Sequence, residues 1–202
     1  MPALNEPKSL LIASTNTHKV SEIVAILSTI WTNTQFLSLK DVPHPSEVVE
    51  DGETFADNAI IKAKAYGQFA SMACIADDSG LCVDILQGAP GIFSARYAGE
   101  HAKDADNNNK LMSELSQMGA GPFSAHYMCA IALYSPEVTV HAQGKAHGHI
   151  HLQAKGTQGF GYDPYFVPQH ASQSMAELSS FEKNSISHRF KALSELVKQL
   201  RR

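Results

Sequence analysis

Cys74-Ile75-Ala76-Asp77-Asp78-Ser79-Gly80-Leu81 joins an apolar start to two acids, a hydroxyl and a glycine, and a second apolar run continues to Leu86. Cys74 and Ile75 read as part of a buried strand, with Asp77-Asp78-Ser79-Gly80 as the turn at its end. Carboxylates at a strand end can hold a magnesium ion or take a proton from water. An Asp-Ser-Gly run is equally an ordinary turn. The choice depends on whether other segments supply a phosphate grip and a base pocket.

Upstream, Leu10 to Ser14 reads as a buried strand and Thr15 to His18 as a polar loop. From Lys19 the period turns helical, with Val20, Ile23, Val24, Leu27 and Ile30 on one face. Phe36 to Leu39 reads as a second strand, and residues 41–53 as an acidic, proline-marked loop. Thr54 is a good N-cap for a helix to about Ser71. Downstream, Asp104 to Met118 reads as a helix, Ser124 to Tyr134 as a strand, and Val138 to Leu152 as a returning strand or strand pair with Gly144 and Gly148 as bulges. Gly156 to Pro164 is a glycine-rich loop. The last helix presents Phe190, Leu193, Leu196, Val197 and Leu200 on one face. Helices and strands are mixed around a hairpin-like middle, so an α/β fold with a mixed central sheet flanked by helices is expected.

The chain has 202 residues, 44% hydrophobic and 18% charged. That length buries roughly 70% of the surface an unfolded chain exposes. Sixteen Lys and Arg against twenty Asp and Glu give a net charge of -4, which argues against a nucleic-acid coat but not against a small anionic ligand. Cys74, Cys82 and Cys129 lie in apolar contexts without CxxC spacing and read as buried free thiols in a reducing compartment. No signal-peptide pattern opens the sequence, and no run reaches the roughly 18 apolar residues of a membrane span. A cytoplasmic location with no membrane partner is expected.

Several residues suit a nucleotide site. Ser14-Thr15-Asn16-Thr17-His18-Lys19 lies between a strand and a helix start, where backbone N–H groups and the helix dipole favour phosphate. It lacks the glycines of a Walker A loop, and a capped turn explains it equally well. Glu50, Asp51 and Glu53 are a solvated acidic loop unless it folds toward Asp78. Lys62 shares a helix face with Phe55 and Ala59 and can point inward; Arg96 follows a rigid Pro-Gly turn and can clamp a phosphate or pair with an acid. In Gly159-Phe160-Gly161-Tyr162-Asp163-Pro164, Phe160 can stack on a base and Asp163 can accept from a ring N–H. His188 and Arg189 sit in a first helical turn, where cations oppose the helix dipole, which suggests a ligand. His147, His149 and His151 share a strand face; a metal site there is conceivable, but an exposed polar face explains them without one.

Taken in order, these motifs resemble the inosine triphosphate pyrophosphatase family, whose members hydrolyse noncanonical purine nucleoside triphosphates. The likeness runs from Leu10 to about Leu200. It rests on Ser14-x-Asn16-x-x-Lys19, Phe55-x-x-Asn58-Ala59-x-x-Lys62-Ala63 and the Asp77-Asp78-Ser79 stretch. Gly88-x-Pro90-Gly91-x-x-Ser94-Ala95-Arg96-Tyr97, the Phe160 loop and Lys183-x-x-x-Ser187-His188-Arg189 complete it. It implies a two-lobed single domain over 1–202 with the active site in the cleft between the lobes, and residues 1–9 as a flexible extension. It implies Asp78 as general base, with Glu50 and Asp78 holding Mg2+. Ser14, Thr15, Asn16, Thr17, His18, Lys19, Lys62 and Arg96 would grip the triphosphate. Ser79 would touch substrate, and Phe160, Gly161, Tyr162, Asp163, Lys183, His188 and Arg189 would form the purine pocket. Substrates would be ITP, dITP and XTP, released as monophosphate and pyrophosphate by a homodimer with no nucleic-acid partner. Two other readings stay open: a nucleotide sensor without catalysis, and a pyrophosphatase for pyrimidine or modified nucleotides.

Overall fold

A computed structural model of the chain describes residues 6–43 and 48–200. Residues 44–47 of the proline-marked loop, and 1–5 of the expected extension, lie outside the described residues. In chain order the elements are β1 (Ser9–Ile12), α1 (Thr17–Leu27), β2 (Gln35–Ser38), α2 (Phe55–Ala70), β3 (Cys74–Val83), α3 (Asp104–Met118), β4 (Phe123–Tyr134), β5 (Thr139–Ile150), β6 (Phe166–Pro168), α4 (Ser180–Ile186) and α5 (His188–Leu200). The sheet order is β2-β1-β3-β4-β5-β6. β1 pairs in parallel with β2 and β3, and β5 pairs antiparallel with β6, so the sheet is mixed as expected. The chain packs as two compact units, residues 1–78, 129–144 and 188–202, and residues 79–128 and 145–187.

The first unit has a core on each face of its strands, because side chains alternate along a strand. Leu10, Ile12 and Ile75 pack with Ile23 and Leu27 of α1 and with Ala192, Leu193 and Leu196 of α5. Leu11, Ala13, Cys74 and Ala76 pack with Ala59, Ala63 and Tyr66 of α2. A fully buried Leu or Ile contributes roughly 1.5–3 kcal/mol, so these two layers fix where α1, α2 and α5 lie. Gly144 of β5 allows α5 to approach: a Cβ there would lie 2.3 Å from the His188 carbonyl oxygen and 2.4 Å from the Ala192 nitrogen. Close approach, within a continuous strand, is what this glycine provides in place of the expected bulge.

The second unit gathers Leu81 and Val83 of β3, Leu111 and Leu115 of α3, Phe123, Ala125 and Tyr127 of β4, and Ile150 and Phe166 into one core. Along β5 the residues from Ala142 to Ile150 alternate buried and exposed, so His147 and His149 face outward. His151 lies one residue past the strand. The His126 and His147 rings are 5.5 Å apart, and among the described residues no three His, Cys, Asp or Glu side chains form a group able to hold a metal. His147 and His149 thus lie on an exposed strand face, with His151 just beyond it.

Several expectations change. The Asp77-Asp78-Ser79 segment is no turn: β3 runs through it for ten residues. Its carboxylates stay inside because each strand face supplies a cation or amide. The last helical stretch is two helices, broken at Ser187, whose backbone is extended (φ -67°, ψ 156°). Phe190 is 36% exposed; the buried face of α5 runs through His188, Arg189, Ala192, Leu193, Leu196 and Leu200. The extension is tied down from Glu6 onward. Asn33 N–H donates to Glu6 Oε1 (2.6 Å), Thr34 Oγ1 donates to the Pro7 carbonyl (2.7 Å), and Ser9 is in β1. Among the described residues no helix is long and apolar enough to cross a membrane.

Candidate functional site

Alternation along β3 separates the two acids. Asp77 follows Ile75 onto the α1/α5 face, and Asp78 follows Ala76 onto the α2 face. Asp78 is 7% exposed, and its Oδ2 accepts from Asn58 Nδ2 at 3.1 Å. Lys62, one turn beyond Asn58 on α2, places its Nζ 3.7 Å from Asp78 Oδ1 and 3.0 Å from Glu50 Oε2. Burial raises the Asp78 carboxyl above its ordinary range and Glu50 adds to this, against the pull of Lys62 and Lys19. Burial works to lower the Lys62 ammonium, but Asp78, Asp77 and Glu50 hold it above its ordinary value.

The acidic loop does fold toward Asp78. Gly52 N–H donates to Asn58 Oδ1 at 2.8 Å, and Val48 N–H donates to the Tyr66 hydroxyl at 3.3 Å. A Cβ on Gly52 would fall 2.7 Å from Asn58 Oδ1. Asn58 therefore bridges the Glu50 loop and Asp78, its amide oxygen accepting from the loop and its amide nitrogen donating to the acid. Thr54 and Asp57 cap α2 reciprocally and fix its first turn.

Asp77 enters an ion cluster. Its Oδ2 accepts from Arg189 Nη2 (2.9 Å) and Nε (3.3 Å), and Lys19 Nζ lies 3.3 Å away. Arg189 Nη1 also pairs with Glu22 of α1. Burial opposes the charge of Asp77, yet Lys19, Arg189 and Lys62 hold its carboxyl far below the ordinary range. Arg189 is 1% exposed. Its guanidinium serves, together with Lys19, as a counter-ion of Asp77. His188 beside it is also buried.

In the Ser14-to-Lys19 loop, Asn16 caps α1. Its Oδ1 accepts from His18 N–H (3.0 Å) and Lys19 N–H (3.2 Å), and Ser14 Oγ accepts from Asn16 N–H (3.1 Å). Two of the amides expected to await an anion are thus occupied by the cap. Beside them, Ser14, Thr15, Thr17, Val20, Ser21, Ser38 and Lys40 line a recess of about 120 Å³.

The second unit holds the other expected residues. Asp163 Oδ2 accepts from Lys183 Nζ (2.7 Å) and Phe160 N–H (3.0 Å), and its Oδ1 accepts from the Tyr127 hydroxyl (3.3 Å). Lys183 Nζ stands 4.7 Å from the Phe160 ring centroid. Asp163 thus orders Lys183 against Phe160 instead of presenting an open carboxylate. Burial and then Asp163 push the Tyr127 phenol well above its ordinary value, so it stays a donor. Gly161 is held at both ends of its residue by α3, its N–H donating to Asp104 Oδ2 (2.7 Å) and its carbonyl accepting from Asn108 Nδ2 (3.0 Å). Tyr162 is in the core, its hydroxyl donating to the Ser94 carbonyl (2.9 Å). Arg96 is half-buried with its guanidinium 5.3 Å from the Phe93 ring centroid, and Ser79 is half-buried on β3.

Ser14 to Lys19, Glu50, Lys62, Asp78, His188 and Arg189 belong to the first unit, and Ser79, Arg96, Phe160 to Asp163 and Lys183 to the second. Sequence reading gave no role to Asn58, Asp104 and Asn108, although the i, i+4 spacing of each to a partner on its helix was a usable signal. Glu22 and Tyr127 gave none, since their partners lie 167 and 36 residues away.

Comparison with known proteins agrees with this fold. A dITP/XTP pyrophosphatase of Desulforamulus reducens is 45% identical over 194 residues, 96% of either chain. One from Streptomyces avermitilis is 42% identical over 193 residues, 95% of this chain and 96% of the other. The solved structure of the Staphylococcus aureus Ham1 protein superposes with a TM-score of 0.84 at 36% identity, covering 96% of this chain and 98% of that one. The sequence profile of the Ham1 family matches residues 10–199, and the chain belongs to that family.

Proposed function

We propose that this protein hydrolyses the noncanonical purine nucleoside triphosphates dITP, XTP and ITP to the monophosphate and pyrophosphate. The observation that carries the reading is the Glu50–Lys62–Asp78–Asn58 cluster, with Asp78 buried and its carboxyl raised. A buried carboxylate that Asn58 holds in one orientation can take a proton from a water beside it. Water attacks the α-phosphorus, its proton passes to an Asp78 oxygen, and the bond from the α-phosphorus to the bridging oxygen breaks to release pyrophosphate. Lys62 and Lys19 offset charge gathering on the phosphate oxygens.

Magnesium fits this donor set. Glu50 and Asp78 converge on the same ammonium, and both offer the hard oxygen ligands that magnesium takes from one or two carboxylates. When bound there, the ion would supply Lewis-acid stabilisation of the phosphate oxygens. Phe160, Lys183 and Asp163 suit the purine. Phe160 gives a stacking face, and the Lys183 ammonium, steadied by Asp163, donates to an oxygen at the purine six-position. Adenine brings an amino donor there, and an unpaired buried polar group costs about 1–3 kcal/mol. The names of the relatives, dITP/XTP pyrophosphatases, favour this substrate class over a pyrimidine one.

The test is a panel of dITP, XTP, ITP, ATP, GTP and CTP with magnesium, measuring pyrophosphate and monophosphate. The first three are expected to turn over at least tenfold faster than ATP, and Asp78→Asn to lower kcat by a hundredfold or more while nucleotide binding stays measurable. Binding without pyrophosphate release by the unaltered protein would make it a sensor.

A further inference from the structure

Helix α3 grips the glycine at the centre of the Phe160 loop. Asp104 opens α3 and Asn108 follows one turn later, so both point along one face. Asp104 Oδ2 accepts from the Gly161 N–H at 2.7 Å, and Asn108 Nδ2 donates to the Gly161 carbonyl at 3.0 Å. Gly161 has φ +61°, a conformation that non-glycine residues rarely adopt, so it needs outside support to hold one geometry. Asn108 is 9% exposed, and moving its amide breaks the contact with the loop. Gly161 lies between Phe160, whose N–H donates to Asp163, and Tyr162, which is anchored in the core. The α3 contacts fix the one flexible residue between two anchored ones.

We propose that Asp104 and Asn108 are positioning residues for base recognition: a matched acceptor and donor that set the Gly161 backbone, and through it the place of Phe160 and Asp163 against the purine. This rests on the purine role proposed above for that loop. Neither residue touches the reacting phosphate, so their loss acts on substrate affinity more than on the chemical step.

The polarity of the pair makes the test sharp. Position 104 must accept and position 108 must donate. Asn108→Asp keeps size but sets a carboxylate against the Gly161 carbonyl, and Asp104→Ala removes the acceptor. Each is expected to raise KM for dITP about tenfold with kcat changed much less. Asp104→Asn, which retains an acceptor, recovers most of that KM. Asn108→Ala, which adds no charge, is the companion variant should Asn108→Asp fold poorly, with thermal melting to compare them. An unchanged KM, or a fall in kcat alone, overturns the proposal.

Hydrogen exchange reads the same contact without substrate. Asp104→Ala is expected to speed exchange across residues 156–164 at least tenfold, and unchanged exchange overturns the proposal even if the unaltered protein has no activity. If the unaltered protein fails to release pyrophosphate, it is the proposed function that fails. If it turns over dITP while the variants match it, only the α3 inference fails.

Discussion

Arg189 shows how far one residue's role depends on contacts that sequence does not display. A basic residue in a first helical turn suggests a ligand. Here its partners are Asp77, 112 positions away, and Glu22, 167 positions away. Removing one member of a buried pair costs about 3–5 kcal/mol when the other charge is left uncompensated, and about 3 kcal/mol is expected here because Lys19 still faces Asp77. Arg189→Ala is therefore expected to lower unfolding stability in urea by that amount; a loss under 1 kcal/mol with a selective defect in dITP use would return Arg189 to the purine. Adjacent strand residues face opposite ways, so Asp77 and Asp78 meet different partners. Which cation each met was not legible. Asn16 is the converse case: a capped turn was one reading of its loop, and as the N-cap of α1 it takes amides that a phosphate loop would leave to the anion.

At the scale of elements, local rules placed α2 and α3 almost to the residue. Thr54 caps α2 and Gly119 ends α3, both strong local signals. β3 was cut short because acidic residues and glycine favour turns, and that preference was overridden by side-chain partners on α1, α2 and α5. The cap of α2 bears on the proposed site, since Asn58 and Lys62 follow it on the same helix. Thr54→Ala is expected to cost about 1 kcal/mol. Its lower thermal midpoint should come with weaker magnesium-dependent turnover; a lowered midpoint with unchanged turnover would show that the cap matters for stability alone.

Over the whole chain, Cys74, Cys82 and Cys129 read from their apolar contexts as buried thiols, and all three are buried and free. Burial pushes the Cys74 thiol up to about 12 and raises Cys82 and Cys129 as well. Because the thiolate is the reactive form, the folded protein at neutral pH is expected to react with a disulfide reagent at least a hundredfold more slowly than the denatured chain, which should titrate three thiols. Rapid reaction of any one without denaturant would contradict its burial. The catalytic claim concerns which phosphorus water attacks. Hydrolysis of dITP in ¹⁸O-labelled water, read by mass spectrometry, tests it directly. Attack at the α-phosphorus puts the label in the monophosphate and leaves pyrophosphate unlabelled. Label in the pyrophosphate would mean attack at the β-phosphorus and would contradict the mechanism built on Asp78.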